Sequence, residues 1–182
     1  MSERPLLIIA CALIIAYTVM AIIDGLYLHL WKYRLHTRRQ SIYEHKLHTL
    51  RAILFPFVLY LLVAKNFGGI LLWIGVLIGV TDLFIGAKDI FAEKNSREEL
   101  GGLSSFEYFL HVCANSIHVT YLTLIVIAKP VYAWSLSSPT LLTAPYPSMM
   151  WSVFMLMLPG AVLGAVLHVW LLQPKYQRSA RF

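Results

Sequence analysis

The sequence predicts an all-α integral membrane protein in which about five transmembrane helices form one bundle. Of its 182 residues, 59% are hydrophobic and only 13% are charged, and the mean hydropathy is +0.69. A soluble domain carries about 25% charged residues. Because the apolar residues are also concentrated in blocks, we expect residues 1–182 to form a single multi-pass transmembrane domain.

Five apolar segments are long enough to cross a bilayer, which takes roughly 20 residues. The first is too long for the core of a signal peptide and is followed by no small-x-small cleavage site, so we interpret it as a retained helix. The turn Asn66-Phe-Gly-Gly69, the polar stretch from Glu98 to Gly102 and four prolines between 130 and 147 separate the later segments. The predicted helices cover residues 5–31, 43–64, 69–92, 105–128 and 148–173.

Individual residues refine these helices. Pro56 predicts a kink in the second helix. The motif Gly160-x-x-x-Gly164 indicates a close-packing face on the fifth helix, which more often packs helices within a chain than joins subunits, so an oligomer stays open. Cys11 and Cys113 both fall in apolar segments and indicate neither a disulfide framework nor a cysteine-rich metal site.

Basic residues lie mainly on one side of the predicted bundle. The connection between helices 1 and 2, the connection between helices 3 and 4, and the C-terminal segment hold 12 of the 15 lysines and arginines, leaving Arg4, Lys65 and Lys129 on the other side. This bias predicts an outside N-terminus and a cytoplasmic C-terminus, in a plasma or inner membrane. The net charge of +6 then reflects loops beside anionic lipid, and no nucleic-acid partner is expected.

One pattern occurs twice, as Ser41-Ile-Tyr-Glu-His-Lys-Leu-His48 and Ser104-Ser-Phe-Glu-Tyr-Phe-Leu-His111. In each copy the serine and the glutamate three residues later form the capping box that begins a helix. The glutamate and the histidine four residues after it share a helix face, so they could also supply ligands to a metal, as in di-iron helix bundles. Capping does not explain the two histidines, and both roles of the two glutamates stay open.

Ionisable residues are concentrated at the predicted inner side, which holds all seven histidines and eight of the nine acidic residues. On the third helix Asp82, Asp89 and Glu93 share one face, and on the fourth His118 extends the face of His111. Ionisable groups at membrane depth are costly and indicate function. We therefore predict a metal centre with ligands from Glu44, His48, Glu107, His111, His118, Asp82, Asp89, His29 and His168.

Several nearby residues are expected to lie outside that centre. Asp24 is five residues from His29, which is roughly 140° around an α-helix, so we expect it to face another neighbour such as a basic residue. Arg51 lies seven residues after Glu44 on the same face and is expected to pair with a carboxylate or an anionic headgroup.

The connections around the centre have simpler interpretations. His36 and His45 flank a basic loop and are expected to be solvated interfacial residues. The segment 95–99, Asn-Ser-Arg-Glu-Glu, is expected to be a polar loop. Asp89 and Glu93 have an alternative role in ion pairs with the neighbouring basic residues.

The ligand types suit iron, zinc or manganese without separating them. In the type and placement of these residues the chain resembles, in kind, the integral-membrane, histidine-rich di-iron desaturases and hydroxylases. It lacks their HxxHH box and has E-x-x-x-H twice instead. The resemblance implies an iron centre that activates oxygen against a lipid or other apolar substrate, with an electron-donor protein as partner.

Other functions use the same residues. A single metal ion could support hydrolysis of a lipid ester or amide. Two histidines could hold a b-type haem in an electron-transfer subunit, although the absence of histidines from the outer half disfavours a relay across the membrane. A non-catalytic proton-conducting, ion-conducting or complex subunit would also bury such residues. No nucleotide-binding loop, HExxH box or GxSxG elbow occurs.

Overall fold

The computed structural model describes residues 4–177, and its regular structure over that range is helical. Five helices are long and apolar enough to cross a membrane, as the sequence predicts, which is compatible with a multi-pass membrane protein. We label them with the short C-terminal helix in chain order: α1 (Arg4–Ala21, extended by a π-helical segment Ile22–Lys32), α2 (Ile42–Val58, extended by a π-helical segment Leu59–Ala64), α3 (Gly69–Ser96), α4 (Ser105–Ile127), α5 (Ser148–Leu171) and α6 (Pro174–Gln177).

The predicted and observed bounds differ most at the end of α3, which continues to Ser96 rather than residue 92. The orientation of the termini stays a prediction. Two of the residues on which it rests, Arg178 and Arg181, lie outside the described residues.

The sequence analysis did not anticipate the two π-helical segments. In a π-helix the hydrogen bonds join residues i and i+5, so side chains five apart lie about one turn from each other. In α2 the chain passes through Pro56, the predicted kink, and π-helical pairing begins at Leu59. In α1 the change falls at Ile22, just before the first buried carboxylate.

The apolar core occupies the half of the bundle away from the basic loops. α1 packs against α4, and α2 packs against α3 and α5. Gly75 of α3 faces Leu61 and Leu62, and a Cβ atom there would lie 2.8 Å from a Leu62 methyl carbon. This close approach explains how two long apolar helices pack with little space between them.

At the end of the bundle beside this core, hydrogen bonds hold the connecting loops together. Lys129 donates from Nζ to Oδ1 of Asn66 over 3.0 Å, and the Tyr146 hydroxyl donates to the carbonyl oxygens of Leu62 and Val63. Burial lowers the pKa of the Lys129 amine to about 8. These contacts tie the loop between α4 and α5 to the end of α2.

The close-packing role expected for Gly160 and Gly164 is wrong within the described chain. A Cβ atom added to either glycine would meet no atom of another helix within 4 Å among the described residues, so neither glycine packs against a neighbouring helix. The two glycines border an open cleft between α1 and α5 instead.

Candidate metal centre

The π-helical segment of α1 brings Asp24 and His29 together. Nε2 of His29 lies 3.2 Å from Oδ1 of Asp24, and Nε2 of His111 lies 2.7 Å from the same oxygen. The expectation that Asp24 faces away from His29 is therefore wrong, because it assumed α-helical geometry. In the π-helical segment five residues make about one turn, so the side chains of Asp24 and His29 lie on the same side of the helix rather than about 140° apart.

The first turns of α2 supply a second set of ligand atoms. Nε2 of His48 lies 3.0 Å from Oδ2 of Asp89 and 3.9 Å from Oε1 of Glu44. That glutamate oxygen is also 3.5 Å from Nε2 of His29, and the rings of His29 and His48 are 4.1 Å apart, centroid to centroid. The two sets therefore meet at these two imidazoles.

Two groups of three residues offer ligand atoms that all lie within 4.8 Å of one another: Asp24 with His29 and His48, and Glu44 with His48 and Asp89. Metal–ligand bonds of 2.0–2.2 Å place the ligands of a tetrahedral ion about 3.3–3.6 Å apart. Nε2 of His29 and of His48 are buried and lack hydrogen bonds of acceptable geometry, although carboxylates lie close by. Such an arrangement could hold a metal ion.

Charge also favours a bound cation. Among the described residues, two guanidinium groups, those of Arg51 and Arg97, pair with carboxylates among the six that are buried at this end of the bundle. If the imidazoles are neutral, the six carboxylates exceed the two guanidinium groups by four negative charges. Buried charges without partners are strongly destabilising, so protons or metal ions must balance them. The carboxylates are those of Asp24, Glu44, Asp82, Asp89, Glu93 and Glu107.

His111 links the centre to α3. Its Nε2 atom bonds Asp24, and its Nδ1 atom lies 2.8 Å from Oε1 of Glu93. A carboxylate on the second ring nitrogen fixes the orientation of an imidazole, as around many metal ions. His111 can therefore bind a metal directly or hold Asp24 in place.

Arg97 joins the two repeated motifs. Its side chain is 0% exposed, and it donates from Nη1 and Nη2 to the two oxygens of Glu44 over 2.8 and 3.1 Å. It also donates from Nε to Oε1 of Glu107 over 2.9 Å. Although burial opposes it, the Glu44 and Glu107 carboxylates raise the pKa of the Arg97 guanidinium. The expectation of a merely polar loop at 95–99 is therefore wrong.

The two copies of the motif differ in capping. Ser104 and Glu107 form the predicted capping box at the start of α4. Ser41 makes no capping bond and donates instead to the carbonyl of Ser96, which leaves Glu44 facing Arg97 and the histidines. The capping explanation therefore holds for Glu107 and is wrong for Glu44.

Not all predicted ligands lie together. The structure brings His29, Glu44, His48 and Asp89 to one place, with His111 beside them through Asp24. The remaining four lie elsewhere: Glu107 at Arg97, Asp82 3.4 Å from Nε of Arg51, His118 3.3 Å from Asp82, and His168 against the ring of His45.

Other residues near the centre also differ from expectation. His45 is buried rather than solvated, and its ring centroid lies 5.3 Å from that of His168 and 5.9 Å from that of His36. Burial, with the charge of Arg34, lowers the pKa of the partly exposed His36. Arg51 pairs with Asp82, one of the roles that the sequence predicts.

The ligands predicted from the sequence did not include Asp24 or Glu93, and the sequence analysis missed the ion-pairing role of Arg97. Glu93 could have been found, because it shares the stripe of Asp89 on α3. Asp24 needs the π-helical register, and Arg97 needs knowledge of the tertiary fold, because neither feature has a local sequence signal.

A cavity of about 420 Å³ opens beside the centre. Its polar end includes Asp24, His48, Asp89 and His111, while most of its remaining wall is apolar. A polar, charge-rich end joined to an apolar chamber is the usual form of a site for an apolar molecule with one reacting position.

A comparison of the chain with models of known protein families, with curated proteins and with solved structures found no match. The fold and the site therefore carry the functional argument alone. They define a helical protein with five potential membrane spans and buried histidine and carboxylate groups that could bind a metal ion.

Proposed function

We propose that the protein is a membrane-embedded metalloenzyme that acts on a lipid or another apolar substrate. One observation carries the proposal: imidazole and carboxylate ligand atoms converge at the polar end of an apolar cavity. The basic loops favour a cytoplasmic position for this end of the bundle.

The ligands would come from three helices. His29 and His48 would supply imidazole nitrogens, and Asp24, Glu44 and Asp89 would supply oxygens. A bound transition metal supplies Lewis-acid or redox chemistry at such a site. Four uncompensated carboxylate charges match two divalent ions, which favours a dinuclear centre. The loose resemblance to membrane desaturases and hydroxylases favours iron.

The surrounding residues would set the geometry. Arg97 fixes both oxygens of Glu44, and Glu93, whose Oε1 atom lies 2.8 Å from Nδ1 of His111, would orient the ring of that histidine. The apolar wall excludes water from the reacting end and strengthens the electrostatic interactions there.

A proton-conducting role is less well supported. The ionisable groups continue from Asp89 through Arg51 and Asp82 to His118. They end at Tyr121, whose buried hydroxyl has no hydrogen-bond partner among the described residues. Beyond it the described core is apolar, so no continuous polar route leads to the far end of the bundle.

Comparison of membrane lipids tests the proposed reaction. Cells that express the wild-type protein should contain a lipid that is oxidised, desaturated or hydrolysed relative to cells that express His48→Ala. Cys113→Ala is the matched control, because this thiol lies outside the cluster, and it should behave as the wild type does. Identical lipid and apolar-metabolite profiles for metal-loaded wild type and His48→Ala would contradict an enzymatic role.

A further inference from the structure

We infer that the cleft between α1 and α5 is a lateral binding site for one neutral hydrocarbon chain, such as a long-chain alcohol or aldehyde. The chain would enter from the bilayer and place its polar end at the metal centre. The binding site stands on the shape of the cleft, and only the reaction of the bound chain rests on the proposed function.

The first observation is the open space along α5. Gly160 and Gly164 border the cavity, and a Cβ atom added to either glycine would meet no atom of another helix within 4 Å among the described residues. Larger side chains at these positions would project into the cavity. The glycine motif that the sequence suggests for helix packing therefore keeps a channel open.

The second observation is the position of the opening. Ile22 on the α1 side and Leu156 on the α5 side both line the cavity, and they are 51% and 67% exposed. Both lie inside segments apolar enough to span a membrane. In a bilayer, an opening between such residues faces lipid tails rather than water.

The third observation is the set of unpartnered polar atoms at the inner end. Oδ1 of Asp89 and Nδ1 of His168 are buried without hydrogen bonds, and both residues line the cavity. A hydroxyl group of a bound chain could donate to Oδ1 of Asp89, a hydroxyl or carbonyl oxygen could accept from a protonated Nδ1 of His168, and either group could reach a metal held beside them. Leu156 and His168 are twelve residues apart, which spans about 18 Å along α5.

Charge selects among possible polar ends. Arg51 is the lone lysine or arginine in the described lining, and it already pairs with Asp82 and Asp89. In the metal-free protein the carboxylates outnumber the guanidinium groups at this end of the cavity, which disfavours a phosphate or carboxylate headgroup there. The cavity volume of about 420 Å³ lies in the size range of a site for one small ligand. A neutral single-chain lipid fits these conditions better than a phospholipid.

Photo-crosslinking tests the inference. The probe is a C16 alcohol with a mid-chain diazirine and a terminal alkyne. When extended, it is about as long as the 18 Å stretch of α5 between Leu156 and His168. It is added to membranes that contain the full-length protein. Adducts should map to Ile22, Leu156 or Met157. Gly160→Leu should reduce these adducts roughly tenfold, because the leucine side chain would fill the space of about two methylene groups of the bound probe. Leu163→Phe adds bulk on an outward-facing residue and should leave labelling unchanged.

Further variants and probes distinguish a binding site in the cleft from unspecific labelling and from a dimer interface. His29→Ala removes a proposed metal ligand that does not line the cavity, and it should keep the labelling at Ile22 and Leu156, so that loss of the metal or of activity does not count against the binding site. The matching C16 acid probe should label the cleft less than the alcohol. Adducts spread over other exposed side chains such as Phe91, with no effect of Gly160→Leu, would overturn the inference. So would a dimer that Gly160→Leu dissociates without loss of labelling, because the glycines would then pack against a second copy.

Discussion

Replacement of Arg97 by glutamine should destabilise the protein more than any change to an exposed basic residue. The substitution removes the guanidinium that Glu44 and Glu107 share. Both carboxylates are buried, and Glu44 receives two hydrogen bonds from this one side chain. Glutamine can keep at most part of this bonding and none of the charge.

The expected magnitude follows from burial. Arg97 and Glu44 are 0% exposed and Glu107 is 1% exposed, so water does not screen the carboxylates after the change. Removal of one partner from a buried ion pair costs about 3–5 kcal/mol, because the remaining charge stays desolvated. Arg97→Lys keeps the charge but cannot bond both carboxylates in the same planar geometry, and a loss of about 1.5–3 kcal/mol is expected.

Reversible unfolding in mixed micelles measures these free energies. Lys94→Gln is the matched control, because this side chain is exposed three residues earlier. The double variant Arg97→Gln with Glu44→Gln should lose less stability than the sum of the two single variants, since the second change removes a stranded charge. An Arg97→Gln loss within about 0.5 kcal/mol of the Lys94→Gln value, the usual range for surface changes, would refute the reasoning.

The other predictions concern the metal and pH. Asp24→Asn removes the charge shared by His29 and His111, and the metal content of the purified protein should fall about tenfold or more, whereas His118→Phe should leave it unchanged. Equal metal content in both variants would contradict the assigned ligands. Burial lowers the pKa of Lys129 to about 8, against 10.5 in the unfolded chain, so the unfolded state binds more protons between these values. The free energy of unfolding should therefore rise over that pH range by at most about 3 kcal/mol, and Lys129→Met should abolish the rise in a pH series of unfolding curves.

The five helices could be predicted because hydropathy over about 20 residues is a local property of the sequence. The residue stripes on α3 and α4 followed from helical periodicity in the same way. Asp89 and His111 therefore lie near the centre as their spacing indicates. His118 shares the stripe of His111 but lies two turns deeper, and a shared face does not bring residues to the same depth.

Departures from α-helical geometry could not be read from spacing. Asp24 meets His29 because the chain changes to π-helical pairing at Ile22. A rule based on 100° per residue separates the same pair. Such segments occur often at functional sites, where they align side chains that an α-helix would keep apart.

Tertiary context decided the roles of the repeated glutamates. Glu107 caps α4 as its motif indicates, yet Glu44 has the same place in the other copy of the motif, where Ser41 makes no capping bond. The difference arises from Arg97, which lies on a connection that reads as solvent-exposed. The buried guanidinium of Arg97 therefore joins the two motifs, whereas their sequence similarity suggests that both supply ligands to one metal.

Metal analysis of the detergent-purified protein, with an optical spectrum, tests the central claim most directly. We expect a transition metal at a ratio of about one to two ions per chain, no haem Soret band, and loss of the metal in His48→Ala with the helical circular dichroism retained. A metal-free protein after reconstitution with iron, zinc or manganese would contradict the claim. A haem spectrum, or metal content unchanged in His48→Ala, would contradict it equally.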